Sequence, residues 1–296
     1  MSVKKPFDFT GVITALVSPF IKGALDLTSF RRVIRHQLDQ GVQGFVVNGT
    51  TGESPTLKAE EVKELLKAAQ SEVGGQVPII MGTGSNSTSK TLELTRLAAD
   101  LNADAALVVT PYYNKPPQRG LIEHFSTVAE AVKIPMILYN VPARTGVQIE
   151  PETVSELSRH KNIVGIKEAT GDLGLMKKMK ELCPPEFVFL SGDDETCVEF
   201  CLQGGQGVIS VLSHVIPKEL VQLVEGARSG DKMAVKSFKR YLNLTQALFT
   251  EANPIPVKMA LFQMGQLQSP ELRLPLVTLA ADKIESLEVL IKEVSP

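Results

Sequence analysis

An excess of either charge is missing from this sequence. Its 296 residues carry 31 Lys and Arg against 33 Asp and Glu, a net charge of −2. Electrostatic capture of nucleic acid needs a basic face, and neither that nor a Lys/Arg cluster suited to an anionic membrane is present. Cysteine is scarce: the 3 residues Cys183, Cys197 and Cys201 make no disulfide framework and fit a reducing compartment. Cys197 and Cys201 are four apart, on one face of a helix, and read as small buried hydrophobes rather than a metal pair. His36, His124, His160 and His214 are scattered, so no His-rich metal site is visible. No apolar run approaches the roughly 20 residues that cross a bilayer. Residues 1–6 (MSVKKP) are basic with no apolar run behind them, which predicts no secretory signal and a cytoplasmic location.

Hydrophobic residues are 43% and charged residues 22% of the chain, a globular balance. Short apolar runs alternate with amphipathic stretches. The runs are 12–17 (VITALV), 44–47 (GFVV), 78–81 (PIIM), 105–109 (AALVV), 135–139 (PMILY), 163–167 (IVGIK), 187–190 (FVFL) and 207–211 (GVISV). Short, rich in β-branched residues and bounded by Gly, Pro, Asn or Asp, they predict strands buried on both faces of a parallel sheet. Between them, Val62, Leu65, Leu66, Ala69 and Val73 line one face of a helix over 57–73, and Leu94, Leu97, Ala98 and Leu101 do so over 91–101. Pro151 stands where a first helical turn begins. Eight strands with helical crossovers predict an α/β fold, a (β/α)8 TIM barrel, which takes about 250 residues. A doubly wound open sheet is the rival; the even strand spacing and the lack of a Gly-rich dinucleotide fingerprint after the first strand count against it. Beyond residue 217 the strands stop. Helices are expected over 219–227, 231–249, 257–263 and 276–294. We therefore expect a barrel over residues 1–225 bearing the active site and a C-terminal helical region over 226–296 packed on it, with no linker between.

In such a barrel the polar residues at the C-terminal strand ends face the active site. Six segments meet there: 48–54 (NGTTGES), 82–86 (GTGSN), 110–114 (TPYYN), 139–144 (YNVPAR), 167–168 (KE) and 191–194 (SGDD). Lys167 ends an apolar strand, where lysine is disfavoured. A free lysine titrates near about 10.4, and desolvation lowers that value by several units and frees the nucleophilic amine. Such an amine adds to a ketone and forms a Schiff base whose cationic nitrogen withdraws electrons. The other open reading is a lysine reaching back to water or pairing with Glu168. Tyr139 could pass protons with Thr50 as relay, or simply cap the core with its hydroxyl in water. Arg144 offers a planar fork for a carboxylate, or is a solvated loop residue. The amides of 49–52 could cradle an anion, but the lysine of a P-loop is absent. Asp193 and Asp194 read as a solvated loop or helix start; without matching histidines they make a metal-dependent aldolase the weaker reading.

Taken together, 49–54 (GTTGES), 110–114 (TPYYN), 139–146 (YNVPARTG), 165–170 (GIKEAT), 191–194 (SGDD), 207–211 (GVISV) and 253–258 (NPIPVK) closely resemble the dihydrodipicolinate synthase family, in order and over essentially the whole chain. The resemblance implies a class I, pyruvate-dependent lyase of lysine and diaminopimelate biosynthesis that condenses pyruvate with L-aspartate 4-semialdehyde. It makes Lys167 the Schiff-base residue and Tyr139, Thr50 and Tyr113 the proton relay, with Tyr113 reaching a neighbouring subunit's site. It gives pyruvate to Thr51 and Ile209, substrate binding to Gly192, and the carboxylate of the second substrate to Arg144. It implies a homotetramer, a dimer of dimers, and no metal or organic cofactor, pyruvate being a covalently bound substrate. Relatives on this fold cleave keto-sugar acids; Thr50-Thr51, Tyr113 and Arg144 are the features that separate the two groups. A non-catalytic barrel is the third reading, opposed by Lys167 and Tyr139. One departure stands out. Lysine-inhibited members carry an acidic residue where this chain has Lys90, and imidazoles where it has Ala59 and Val62. A cation at 90 repels the ammonium of free lysine, so weak or absent feedback inhibition is expected.

Overall fold

The computed structural model describes residues 8–294; the basic N-terminal segment read above lies outside them. Eight parallel strands close into a barrel. They are β1 (Gly11–Ala15), β2 (Gly44–Val47), β3 (Ile79–Gly82), β4 (Ala105–Val109), β5 (Met136–Asn140), β6 (Ile163–Glu168), β7 (Val188–Ser191) and β8 (Gly207–Ser210). β1 pairs with both β2 and β8, which closes the ring and excludes the open sheet. Each expected run falls on one of these strands, because both faces of every strand are covered. Val12, Phe45, Val47, Met81, Val108 and Leu138 face the helices. Ile13, Val46, Ile80, Leu107, Ile137, Leu190 and Ile209 fill the lumen, so the barrel is packed below its mouth.

The crossovers are α1 (Leu27–Asp39), α2 (Ala59–Val73), α3 (Thr88–Asp100), α4 (Gln118–Ala131), α5 (Pro151–Leu157), α6 (Leu173–Leu182), α7 (Cys197–Leu202) and α8 (Pro217–Arg228). Their ends follow local chemistry. The Asp26 carboxylate accepts the Ser29 amide at 3.0 Å to start α1, Pro151 and Pro217 open α5 and α8, and Gly74 ends α2 at φ 57°. Cys197 and Cys201 are both buried on α7, and burial pushes the Cys201 thiol up to about 12; they pack as small hydrophobes. A two-stranded hairpin, Phe20–Ile21 against Ala24–Leu25, has no counterpart in the sequence reading, since strands of two residues leave no periodicity.

The extension consists of α9 (Lys232–Phe238), α10 (Leu242–Ala247), α11 (Ile255–Gln263) and α12 (Ala281–Val294). Two expectations need correction. The helix expected over 231–249 is broken by a 3-10 turn at Lys239–Tyr241; Phe238, Tyr241, Leu244 and Leu248 stay buried through it, so their spacing reads as continuous. The helix expected from 276 starts only at Ala281. The segment before it is tied to other elements: Glu53 accepts the Arg273 amide at 2.9 Å and Glu251 accepts that of Ala280 at 3.3 Å. α8 runs across residue 225, the boundary expected between barrel and extension.

A buried ion pair joins the extension to the barrel mouth. Lys258 Nζ lies 2.6 Å from Glu53 Oε1, with the two side chains 0% and 1% exposed. The same ammonium donates to the Glu271 carbonyl at 2.6 Å and sits 4.3 Å from the centre of the Phe20 ring. Burial outweighs the attraction of Glu53 and pushes Lys258 down to about 8. Arg273 lies on the other face of the network, paired with Glu61, and its guanidinium holds that carboxyl down to about 2.

Candidate active site

β5 and β6 put two reactive side chains next to each other. Tyr139 pairs in register with Lys167, and Asn140 with Glu168. Tyr139 shares the lumen with Ile137 and Val141, and Lys167 lies with its Nζ 4.3 Å from the centre of the Tyr139 ring. Both residues are 7% exposed. This corrects the picture of a strand-end lysine reaching water or pairing with Glu168. The Glu168 carboxylate instead accepts the Asn140 amide and the Thr170 N–H, both at 2.7 Å. Burial pushes the Glu168 carboxyl up. No ion pair to Lys167 occurs among the described residues.

Gly192 explains how the lysine stem lies flat across the mouth. A Cβ there would fall 2.7 Å from Lys167 Cε and 2.7 Å from Ala169 Cβ. Ile209, 2% exposed, packs in the lumen below.

A cavity of about 420 Å³ opens at this mouth, lined by Thr50, Tyr139, Arg144, Asn48, Tyr112 and Lys90 among others. Its lining contains two cations, Lys90 and Arg144, and no carboxylate, so it favours anions. Arg144 rides on the one-turn helix Pro142–Thr145 and donates to the Asn253 carbonyl at 3.4 Å. The Asn253 side chain in turn donates to Thr51 Oγ1 at 3.0 Å. One residue of the extension thus touches two residues of the mouth. Within the 49–54 turn, the Gly49 carbonyl accepts the amides of Gly52 and Ser54 and the Thr50 carbonyl accepts that of Glu53. Of the amides at 49–52, that of Gly52 is therefore spent on the turn.

Asp193 and Asp194 do not form a solvated pair. Asp193 accepts the Thr196 amide at 2.9 Å and its hydroxyl at 2.6 Å, ahead of α7. Asp194 is buried, takes the amides of Val211 and Leu212 at 2.9 and 3.0 Å, and has its carboxyl pushed up by desolvation. Among the described residues no three His, Cys, Asp or Glu gather as a metal site, and no helix is long and apolar enough to cross a membrane.

Tyr113 stands apart from the rest. It is 89% exposed at φ 73° and lies outside the cavity lining. Lys90 is exposed in the first turn of α3, at the cavity edge with Ser54, Ser85 and Leu94. Ala59 is exposed at the start of α2, whereas Val62 is buried in the core. Sequence reasoning missed Asn253, Glu53 and Lys258 as supports of the mouth. Glu53 and Lys258 are 205 residues apart, and no local spacing links them. Asn253 had a signal, since it sits in the break between helices at 253–256, but a break does not say what it touches.

A closed parallel barrel with a buried amine against a phenol at its C-terminal mouth is the architecture of a class I, Schiff-base-forming lyase. The comparisons narrow the class. The model of the dihydrodipicolinate synthetase family matches residues 8–294. The 4-hydroxy-tetrahydrodipicolinate synthase of Bdellovibrio bacteriovorus is 53% identical over 289 residues, 97% of this chain and 98% of that protein. A chloride-inhibited dihydrodipicolinate synthase from Acinetobacter baumannii, solved with pyruvate, superposes with a TM-score of 0.94 at 43% identity, covering 97% of this chain and 99% of the other. A monomeric dihydrodipicolinate synthase variant superposes equally well, TM-score 0.94 at 44% identity, over 96% of each chain. The chain belongs to the dihydrodipicolinate synthetase family, and it is a pyruvate-dependent lyase of class I aldolase type.

Proposed function

We propose that the protein condenses pyruvate with L-aspartate 4-semialdehyde, the 4-hydroxy-tetrahydrodipicolinate synthase reaction of lysine and diaminopimelate biosynthesis. The observation that carries this reading is the position of Lys167, buried in the lumen and held against Tyr139 rather than against an acid. The amine adds to the ketone carbon of pyruvate, and loss of water leaves a protonated imine. That imine is the electron sink, so no metal or organic cofactor enters the scheme. Loss of a methyl proton gives an enamine, whose carbon attacks the aldehyde. The amine of the second substrate then adds to the imine carbon, closes the ring and expels Lys167.

Tyr139 and Thr50, which line one cavity, carry protons, and Tyr113 completes the relay from a neighbouring subunit. Its exposure in the single chain suits a side chain used across an interface, and the assembly we propose is a homotetramer built as a dimer of dimers. Thr51 and Ile209 hold pyruvate, Gly192 belongs to the substrate-binding set, and Arg144 takes the carboxylate of the semialdehyde. Asn253 supports this division, because it contacts both Thr51 and Arg144. The barrel and the helical region after residue 225 act as one unit through that contact, and a cytoplasmic location accords with three free cysteines.

Borohydride reduction in the presence of pyruvate tests the reading: peptide mapping is expected to place the reduced adduct on Lys167. An adduct on another lysine, or none, overturns it. In a coupled assay the semialdehyde is expected to be consumed and keto-sugar acids left intact; the similarity to named synthases favours this outcome over a sugar-acid lyase. Tyr139→Phe removes only a hydroxyl from a packed ring. Turnover is expected to fall about a hundredfold while the apparent affinity for pyruvate stays within about threefold. Unchanged turnover would take Tyr139 out of the relay.

Free lysine is expected to be a poor inhibitor. Lys90 supplies a cation at the cavity edge where an ammonium ligand would need an acceptor. Steady-state rates should be unchanged at millimolar lysine, and inhibition there would show that Lys90 does not govern the response.

A further inference from the structure

One side chain closes the segment that carries Arg144. Asn140 ends β5, next to Tyr139, and is 0% exposed. It continues the parity of Leu138, which faces the helices, and it is not part of the cavity lining. Its Oδ1 accepts the Ile149 amide at 3.0 Å, and its Nδ2 donates to Glu168 Oε2 at 2.7 Å. Glu168 follows Lys167 on β6. A single amide group thus joins the strand end that bears the reactive amine to the far end of the segment 141–149.

That segment is stiff inside and needs fixing at its ends. The Val141 carbonyl accepts the amides of Arg144 and Thr145 at 2.9 and 3.1 Å, and the Pro142 carbonyl accepts that of Gly146 at 2.9 Å. Thr145 Oγ1 donates to the Val147 carbonyl at 2.9 Å. The turn therefore moves as a unit, and the place of Arg144 depends on how its two ends are held. β5 holds the first. The second, 147–150, belongs to no helix or strand and is gripped by side chains. Asn140 takes Ile149. Gln118 of α4 donates to the Gln148 carbonyl at 2.9 Å and accepts the Glu150 amide at 3.1 Å. A residue needed only to fill this layer would be apolar, as Leu138 and Val154 are. Asn140 instead spends both ends of its amide on directional bonds.

We propose that Asn140 is a positioning residue for the second substrate: it sets the Arg144 turn relative to the strand end of Lys167, so that a carboxylate held by the guanidinium presents its aldehyde to the enamine. This rests on the reaction proposed above and adds what keeps Arg144 in register with the reacting carbon. Gln118 secures the same end of the segment from the surface. Pyruvate lies outside this influence. Lys167 and Tyr139 are placed by the pairing of β5 with β6, and Glu168 keeps the Thr170 amide when Asn140 is lost.

The test is a cycle with Arg144. Asn140→Ala deletes both bonds. Its kcat/KM for the semialdehyde is expected to fall about tenfold, while the KM for pyruvate and the yield of borohydride-trapped adduct stay within about twofold. In an Arg144→Ala background the same change is expected to cost less than about twofold, because a residue that acts through Arg144 then has nothing to place. Equal losses in the two backgrounds, equal weakening of pyruvate and semialdehyde, or no change in either would each overturn the proposal and leave Asn140 a packing residue. Should Asn140→Ala not fold, Gln118→Ala, at a half-buried site, runs the same cycle. A loss of about threefold for the semialdehyde alone, absent once Arg144 is gone, supports the proposal; no loss, or one that persists without Arg144, overturns it. Trapping on Lys167 in the unaltered enzyme separates the two levels: no adduct there overturns the reaction itself, whereas a trapped adduct with additive losses overturns only the role of Asn140.

Discussion

Lys167→Ala is expected to abolish turnover, with a loss on the order of 10⁴-fold or more, and to leave no reducible adduct with pyruvate. The physical reason is the uniqueness of the group. Tyr139, Thr50 and Arg144 remain around the same cavity, yet none of them adds to a ketone to make a cationic imine. Without the imine the methyl protons of pyruvate stay unactivated, and every later step depends on the enamine. The fold itself should survive. Lys167 has no ion pair among the described residues, so its removal strands no counter-charge. Circular dichroism and thermal melting should therefore resemble the parent, and only activity and trapping should be lost. Residual turnover above about a hundredth of the parent, in a folded sample, would place the reactive amine elsewhere.

Lys258→Met is expected to destabilise the chain by about 3–5 kcal/mol, the cost of stranding a buried partner charge. Glu53 would keep the amide of Arg273 at 2.9 Å but lose the ammonium at 2.6 Å. The paired change Glu53→Gln with Lys258→Met removes both charges together and should cost less than Lys258→Met alone. Denaturant unfolding of the two single variants and the double variant closes the cycle. Additive losses would show that the two side chains do not interact in the folded chain. Because Glu53 lies two residues beyond Thr51 on the same turn, the single variant should also weaken pyruvate binding before it unfolds.

The barrel was legible because each strand is buried on both sides, so that runs such as AALVV and VITALV announce themselves without alternation. The breaks in the extension were not. Phe238, Tyr241, Leu244 and Leu248 keep one buried stripe through a tighter turn, and hydrophobic spacing does not register a change in hydrogen-bond pattern. Before α12, the Ala280 amide goes to the Glu251 carboxylate and that of Leu276 to the Arg273 carbonyl, bonds that apolar spacing does not reveal. At the mouth, Lys167, Tyr139, Thr50 and Arg144 could be singled out as reactive or charged groups at strand ends. Their supports could not. Asp193 and Asp194 read as a solvated loop or helix start; Asp193 does bind Thr196 at the start of α7, whereas Asp194 is a buried acceptor for two amides. Asn253 and Lys258 act through partners about 200 positions away, a distance at which composition carries no information.

Asn253 also bears on how the molecule tolerates being cut. All eight strands lie before residue 211, so a gene fragment ending soon after α8 encodes a complete cylinder. That cylinder has Lys167 and Tyr139 in register but lacks the amide that grips Thr51 and the carbonyl that receives Arg144. A C-terminal nick or frameshift would also remove Lys258 and leave Glu53 buried without its counter-charge, and would bare the core that Leu244, Leu248, Val257 and Leu261 cover, so grip on substrates and stability would be lost together.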